Sequence, residues 1–358
     1  DRPRWKSLSR RICYPYVIEK FRQKQMTKRS FASNLTIAAL IIAHSFFICV
    51  SGCSKSSTSL PKPKIAILED KQLEWADRLK DGFLFGLSRQ GIDATIVSRS
   101  AAGDSRTLSA LAEELAQGNF ILIYSLGTQA TQEVFRKTKT KPIIFGAVTD
   151  PKEAGFYGED LRHPLGNITG TQDLWPYSAQ FDVIKKLLPK VRKIGIIHNP
   201  NEQNSGVSVK YIKAECGNRN ISAVVRSAAT PSQIETAVDA LLREGVDLLF
   251  IPSDNTVQAS SHRIIQSCQK KKVPVFTGIC EIVEKGALAA VGVDYSELGN
   301  ANAQQAGEII LKGKQARELP VVSADKGNIC INLGAAKNLG IPVPSEIIEK
   351  AFKIYEYQ

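Results

Sequence analysis

Ile65-Ala66-Ile67-Leu68, then Glu74 to Arg89, then Ala94-Thr95-Ile96-Val97, then Leu108 to Gln117: this stretch decides the fold. Short apolar runs alternate with longer amphipathic ones. The helical period from Glu74 to Arg89 puts Trp75, Leu79, Phe83, Leu84 and Leu87 on one face. Phe120 to Tyr124 and Ile143 to Phe145 continue the strands, with Gln129 to Lys137 as the helix between them. Strand-helix alternation of this kind builds a parallel sheet flanked by helices.

After Pro189 the series restarts. Lys193 to Ile197, Ala223 to Val225, Leu248 to Ile251, Val275-Phe276 and Ala287 to Val293 read as strands. Ser205 to Cys216, Ser232 to Arg243 and Ser260 to Lys271 read as helices. Thr230-Pro231 marks the start of the second, and three lysines (270 to 272) suit the end of the third. The fold class is therefore α/β, with two similar units and a cleft between them. The repeat is one of architecture, not of sequence.

Upstream of Ile65 the chain changes character. Ser54 to Lys64 is rich in Ser, Lys and Pro, and residues 53–64 read as a flexible tether. Before it, Lys28-Arg29, an apolar run from Leu35 to Val50 and Val50-Ser51-Gly52-Cys53 have the layout of a secretion signal. With cysteine directly after Ser-Gly, the segment resembles a bacterial lipoprotein signal, which implies lipid on Cys53. A single transmembrane anchor is the competing reading. The run of 16 residues contains His44 and Ser45, and a spanning helix needs about 20 apolar residues. Met26 is the expected start of the signal, so residues 26–52 form the signal peptide and residues 1–25 an upstream extension.

Charge follows the same division. The chain of 358 residues has a net charge of +12, and residues 1–52 hold ten Lys or Arg and two acids, which leaves +4 beyond them. That mild bias, without a basic stripe interleaved with aromatics, gives no sign of nucleic-acid binding. About 306 residues from Cys53 onward suffice for two domains. Cys216, Cys268, Cys280 and Cys330 remain there. Their spacing suggests no metal site and assigns no disulfide, and Cys268 and Cys330 sit among apolar residues as buried free thiols.

In open parallel sheets, ligands bind beyond the carboxyl ends of strands. The endings here are polar. Ser125-Leu126-Gly127-Thr128 offers two hydroxyls, a glycine for close backbone approach and a helix start suited to a carboxylate. Thr149-Asp150-Pro151 places an acid that would pair a ligand ammonium, although Asp-Pro is also a common turn. Asn204-Ser205, Ser253-Asp254-Asn255-Thr256 and Gly292-Val293-Asp294-Tyr295 complete the set. Each is equally readable as a helix cap or turn.

These residues carry a resemblance. From about Lys64 the chain resembles the bacterial ABC-transporter substrate-binding proteins of the tryptophan/tyrosine-binding type. The matching stretches are Gly146 to Pro151 with Ala154-Gly155, Gly166 to Gly170, Asn199-Pro200 with Asn204-Ser205, Ser253 to Val257, and Gly286 to Ala289 running into Gly292 to Tyr295. The tail from Ile331 through Leu339-Gly340-Ile341 and Pro344 matches as well. The resemblance implies a type I periplasmic-binding fold, with residues 65–172 and 297–320 in one lobe and 173–296 and 321–358 in the other. It implies an amino-acid-like ligand, often aromatic.

On that basis Ser125, Gly127, Thr128 and Thr149 would bind the carboxylate. Asp254 and Asp294 would face the ammonium, with Asp150, Asn204, Ser205 and Asn255 beside them. Val275 to Glu281 departs from the expected small segment, so Cys280 or Glu281 would alter side-chain selectivity. No cofactor or metal is called for. The partners implied are the small ligand, a permease with its ATPase, and a membrane reached through Cys53; the expected state is a monomer in the cell envelope, outside the cytoplasm. A ligand-sensing module is the alternative, and an envelope enzyme a more distant one. The chain lacks G-x-G-x-x-G after the first strand, a Walker loop and G-x-S-x-G.

Overall fold

A computed structural model describes residues 62–324 and 327–356. The expected signal peptide, Cys53 and most of the tether lie outside the described residues.

The elements run β1 (Lys64–Glu69), α1 (Glu74–Arg89), β2 (Thr95–Ser100), α2 (Ser105–Gln117), β3 (Leu122–Leu126), α3 (Gly127–Lys137), β4 (Ile143–Val148) and β5 (Ile168–Gln172). Then come α4 (Tyr177–Leu187), β6 (Lys193–His198), α5 (Gln203–Asn218), β7 (Ser222–Ser227), α6 (Ile234–Arg243), β8 (Leu248–Ile251), α7 (Asn255–Ala259), α8 (Ser261–Lys270), β9 (Val275–Thr277), α9 (Cys280–Glu284) and β10 (Ala289–Gly292). The chain finishes with α10 (Tyr295–Lys312), β11 (Val322–Ser323), β12 (Asn328–Asn332), α11 (Leu333–Leu339), α12 (Ser345–Lys350) and β13 (Ala351–Tyr355).

The strands form two sheets, ordered β11-β5-β4-β3-β1-β2 and β13-β12-β10-β9-β8-β6-β7. All pairings are parallel except β10 with β12. The inner strands are buried on both faces, as Ile65 to Leu68 and Leu248 to Ile251 show. The edge strands β2 and β7 are mixed in exposure. The chain crosses between the sheets three times: after β5, before α10 and after β11. Val322 and Ser323 still pair with Thr171 and Gln172 of β5, so the final crossing falls beyond residue 321.

The return helix α10 is clamped to α1 by small residues and to the first sheet by a buried polar network. A Cβ on Gly299 would stand 2.1 Å from the Leu79 carbonyl oxygen, and one on Gly82 2.1 Å from that of Ser296. Backbones this close exclude any side chain at either position. Asn302, fully buried, accepts from Tyr124 Oη and Thr171 Oγ1, both at 3.0 Å, and its amide donates to Phe145 O. Gln305 donates to Gly170 O and Pro320 O. Every buried polar group so paired avoids its desolvation cost, which makes the helix position specific rather than merely apolar.

One expectation is corrected. Cys330 is not a free thiol: it is bonded to Cys280, with the Cα atoms 5.5 Å apart. Sheet order brings β12 beside β10 and α9, a neighbourhood that a separation of 50 residues hides in the sequence. Cys216 and Cys268 are buried thiols, and burial pushes both up to about 12, so neither is a reactive thiolate. Closing a loop of that length removes chain entropy worth about 4 kcal/mol. Cys330→Ala should therefore lower stability in urea unfolding by up to about that amount, and reductant should lower the parent but not the variant.

Candidate functional site

A small cavity of about 10 Å³ lies between the two sheets, at the carboxyl ends of their strands. From the first lobe it is lined by Trp75, Gly127, Thr128, Ala147, Thr149 and Tyr295; from the crossing segment after β5 by Asp173; and from the second lobe by Asn204, Ser253, Asn255 and Gln258. The cleft is shut. Thr149 Oγ1 and Ser253 Oγ meet across it at 3.2 Å, and ion pairs Glu74–Lys285 (2.8 Å), Arg78–Glu281 (3.4 Å) and Glu153–Lys210 (3.3 Å) also join the lobes.

Several lining groups are held without being used up. Asn204 donates its amide to Ser253 O at 2.9 Å, and Gln258 donates its own to Pro252 O at 3.0 Å. Those bonds fix which end of each amide is free. Asn204 Oδ1 and Gln258 Oε1 are buried without a partner, as are Asp173 Oδ1 and Thr128 Oγ1. The first three are pure acceptors when Asp173 is ionised. Opposite them, α3 opens at Gly127 with no side chain capping its first turn, so backbone N–H groups there are available to an anion. Gly127 adopts φ +79° and Ala147 φ +57°, the latter at a break in the β4–β5 register. Ala147, without glycine's freedom, is strained backbone at the cavity wall.

Asp173 is the only carboxylate on this lining. It follows β5 in the first crossing segment, and burial pushes it up to about 7. Its Oδ2 accepts from Tyr295 Oη at 3.1 Å, and Trp175 Nε1 donates to that hydroxyl at 3.4 Å. The Trp75 and Tyr295 rings stand 5.4 Å apart and form an aromatic side to the cavity. The reading from sequence missed Asp173, Trp75 and Gln258, and named Tyr295 only as the last residue of the ending Gly292 to Tyr295.

The structure brings together Gly127, Thr128, Thr149, Asn204 and Asn255, all on the lining. It does not bring the other expected residues there. Ser125 Oγ is buried and bonded to Thr131 Oγ1 at 2.9 Å. Asp150 accepts from the N–H groups of Lys152 and Glu153 in its own turn. Ser205 is buried beside Asp254. Asp254 caps α7, accepting from Val257 N, and also accepts from Asn199 N; burial and nearby Glu202 raise its pKa. Asp294 caps α10 through Ser296 N and Glu297 N. Asp294, Cys280 and Glu281 line a separate pocket behind Tyr295. Caps spend a carboxylate on backbone donors, which leaves it little to offer a ligand.

Among the described residues no cluster of His, Cys, Asp and Glu suits a metal, and no helix is long and apolar enough to cross a membrane.

Residues 64–355 match the family described as ABC transporter substrate binding protein. A tyrosine-binding protein of Clostridioides difficile (strain R20291) is 31% identical over 322 residues, covering 85% of this chain and 92% of that protein. A streptococcal ABC domain solved in complex with L-Trp superposes with a TM-score of 0.79 at 28% identity, over 82% of this chain and 99% of that one. The ligand-free, open structure of a Clostridium difficile substrate-binding protein with adhesive properties gives 0.64 at 29% identity, over 83% and 100%. The lower score against the open structure accords with the shut cleft described above. Below 25% identity, a 5-methylthioribose transporter solute-binding protein from Thermotoga lettingae shares the two-lobed fold at 0.53. The chain belongs to the family of ABC transporter substrate-binding proteins.

Proposed function

We propose that this protein captures an aromatic α-amino acid in the cleft and presents it to a membrane permease with its ATPase. The observation that carries the reading is the set of unpartnered buried atoms on the cavity wall: three acceptors for an ammonium, with Thr128 Oγ1 and uncapped N–H groups for a carboxylate. An ammonium has three donors and no acceptor, so Asp173 Oδ1, Asn204 Oδ1 and Gln258 Oε1 match it in kind and number. Trp75 and Tyr295 supply the apolar contact for an aromatic side chain. The head-group residues come from both lobes, so a full set of partners exists only when the cleft is shut, and the right ligand favours closure. The L-Trp complex and the tyrosine-binding relative support the ligand class.

Localisation and anchoring follow from the same reading. The domain would work outside the cytoplasm as a monomer, held near the permease by lipid on Cys53 and a Ser/Pro-rich tether. Tethering raises local concentration without a permanent complex.

The first test is ligand-stabilised unfolding. L-Tyrosine or L-tryptophan at 100 times its Kd should add about 2.7 kcal/mol. No thermal shift from any of the common amino acids would remove the reading's main support.

The second test is pH. In the ligand-free cleft Asp173 is held neutral to about pH 7, whereas an ammonium beside it requires the carboxylate. Binding therefore expels a proton below that pH. Affinity should fall by roughly tenfold per unit as pH drops from 7 toward 5, and Asp173→Asn should bind weakly with no such slope. Stability without ligand should move the other way. The carboxyl binds a proton in the folded state that the unfolded chain has released, so this group's contribution declines as pH rises from about 4 to about 7. A calorimetric pH series that is flat for the parent would contradict the assignment.

A further inference from the structure

Lys71 is not on the cavity lining, yet it joins the lobes at the point where the second lobe organises its ligand-facing turn. It follows β1 in the first lobe. Its ammonium donates to Thr256 Oγ1 at 2.8 Å and lies 3.5 Å from Glu202 Oε1, both in the second lobe. Glu202 is 1% exposed. Its carboxylate accepts from Asn255 N (2.7 Å), Thr256 N (3.0 Å), Thr256 Oγ1 (2.6 Å) and Asn199 Nδ2 (3.1 Å). Those bonds hold the start of α7, which carries the lining residues Asn255 and Gln258.

The charge balance around this cluster is lopsided. Asp70, Glu202 and Asp254 are all buried, and Lys71 is the cation that reaches Asp70 (3.9 Å) and Glu202. A buried carboxylate without its cation is strongly unfavourable. When the lobes part, Asp70 leaves with Lys71, while Glu202 loses its cation and stays beside Asp254. The lysine is also placed, not merely nearby. A Cβ on Gly103 would stand 2.5 Å from Lys71 Cε, and Gly103 has φ +82°, so the loop before α2 runs close along the lysine stem at a position suited to glycine.

We infer that Lys71, with Glu202 and Thr256, is a cross-lobe latch that sets how long ligand stays in the cleft without touching it. This regulates the site proposed above and rests on that reading for its ligand. Lys71 is a positioning residue: it neutralises the carboxylate that fixes α7 and thereby couples closure to the geometry of Gln258 and Asn255.

The experiment compares the full chain with Lys71→Met by stopped-flow binding of L-tyrosine and L-tryptophan, and by hydrogen exchange of the amides of residues 127–131 without added ligand. The latch predicts ligand dissociation faster on the order of tenfold, with association little changed. It also predicts faster exchange at residues 127–131, on the opposite lobe from Glu202. A variant with parental dissociation and parental exchange would overturn the latch. A lowered unfolding temperature with parental exchange would also overturn it, because that marks a lysine that only stabilises its own lobe. Faster exchange in a chain that binds neither amino acid would leave the latch standing and refute the ligand reading alone.

Discussion

The close backbone contact between α1 and α10 is the constraint on which the site depends. Gly82 and Gly299 let the two helices approach until only hydrogen atoms fit between them, and the Asn302 network fixes α10 against the sheet. Trp75 stands at the start of α1 and Tyr295 at the start of α10, so this packing delivers both rings to the cleft, 5.4 Å apart. Tyr295 in turn orients Asp173, and Trp175 orients Tyr295. Gly278 belongs to the same chain of support, since a Cβ there would stand 2.3 Å from the Trp175 ring. A methyl group at any of these glycines would shift a ring or a carboxylate in the cavity from a distance.

Acidic residues around the cleft divide by how their oxygens are spent. Asp150, Asp254 and Asp294 each accept two or more backbone N–H groups. Such bonds hold the local turn and commit the carboxylate to backbone donors. Asp173 differs. One oxygen accepts from a phenol, the other has no partner, and burial keeps the group poised near neutrality. A poised, half-satisfied carboxylate in a shut cleft is a costly arrangement, of the kind that persists at functional sites.

Much of the fold was legible in the sequence, because apolar runs and amphipathic runs differ in period. The strands and helices expected between Ile65 and Gly292 fall within a few residues of their places, whereas β5, α4, α7 and α9 were not anticipated. The segments beyond α10 were less so: β11 is two residues long, and β12 pairs antiparallel, which no local pattern announces. The site was legible by region and not by residue. Gly127, Thr128, Thr149, Asn204 and Asn255 were reached because they end strands or open helices. Asp254 and Asp294 occupy the same positions, and an acid before a helix has the same sequence signature whether it caps or binds. Asp173 escaped notice because Asp173-Leu174-Trp175-Pro176 crosses between lobes and opens no helix at the aspartate. Trp75 reads as the core face of α1, which it is; only packing shows that the ring also borders the cavity. The Cys280–Cys330 bond likewise depends on sheet order, which spacing does not encode.

The central claim is that the cleft recognises both charged groups of an amino acid at once, the ammonium at Asp173 and the carboxylate at the start of α3. The most direct measurement is calorimetry at pH 8 with L-tyrosine and L-tryptophan against the matching amines without a carboxylate and acids without an amine. The account predicts that the amino acids bind and that removing either group costs at least about 100-fold, because each loss leaves buried polar atoms unpaired. An amine or an acid that binds as tightly as its parent would contradict it.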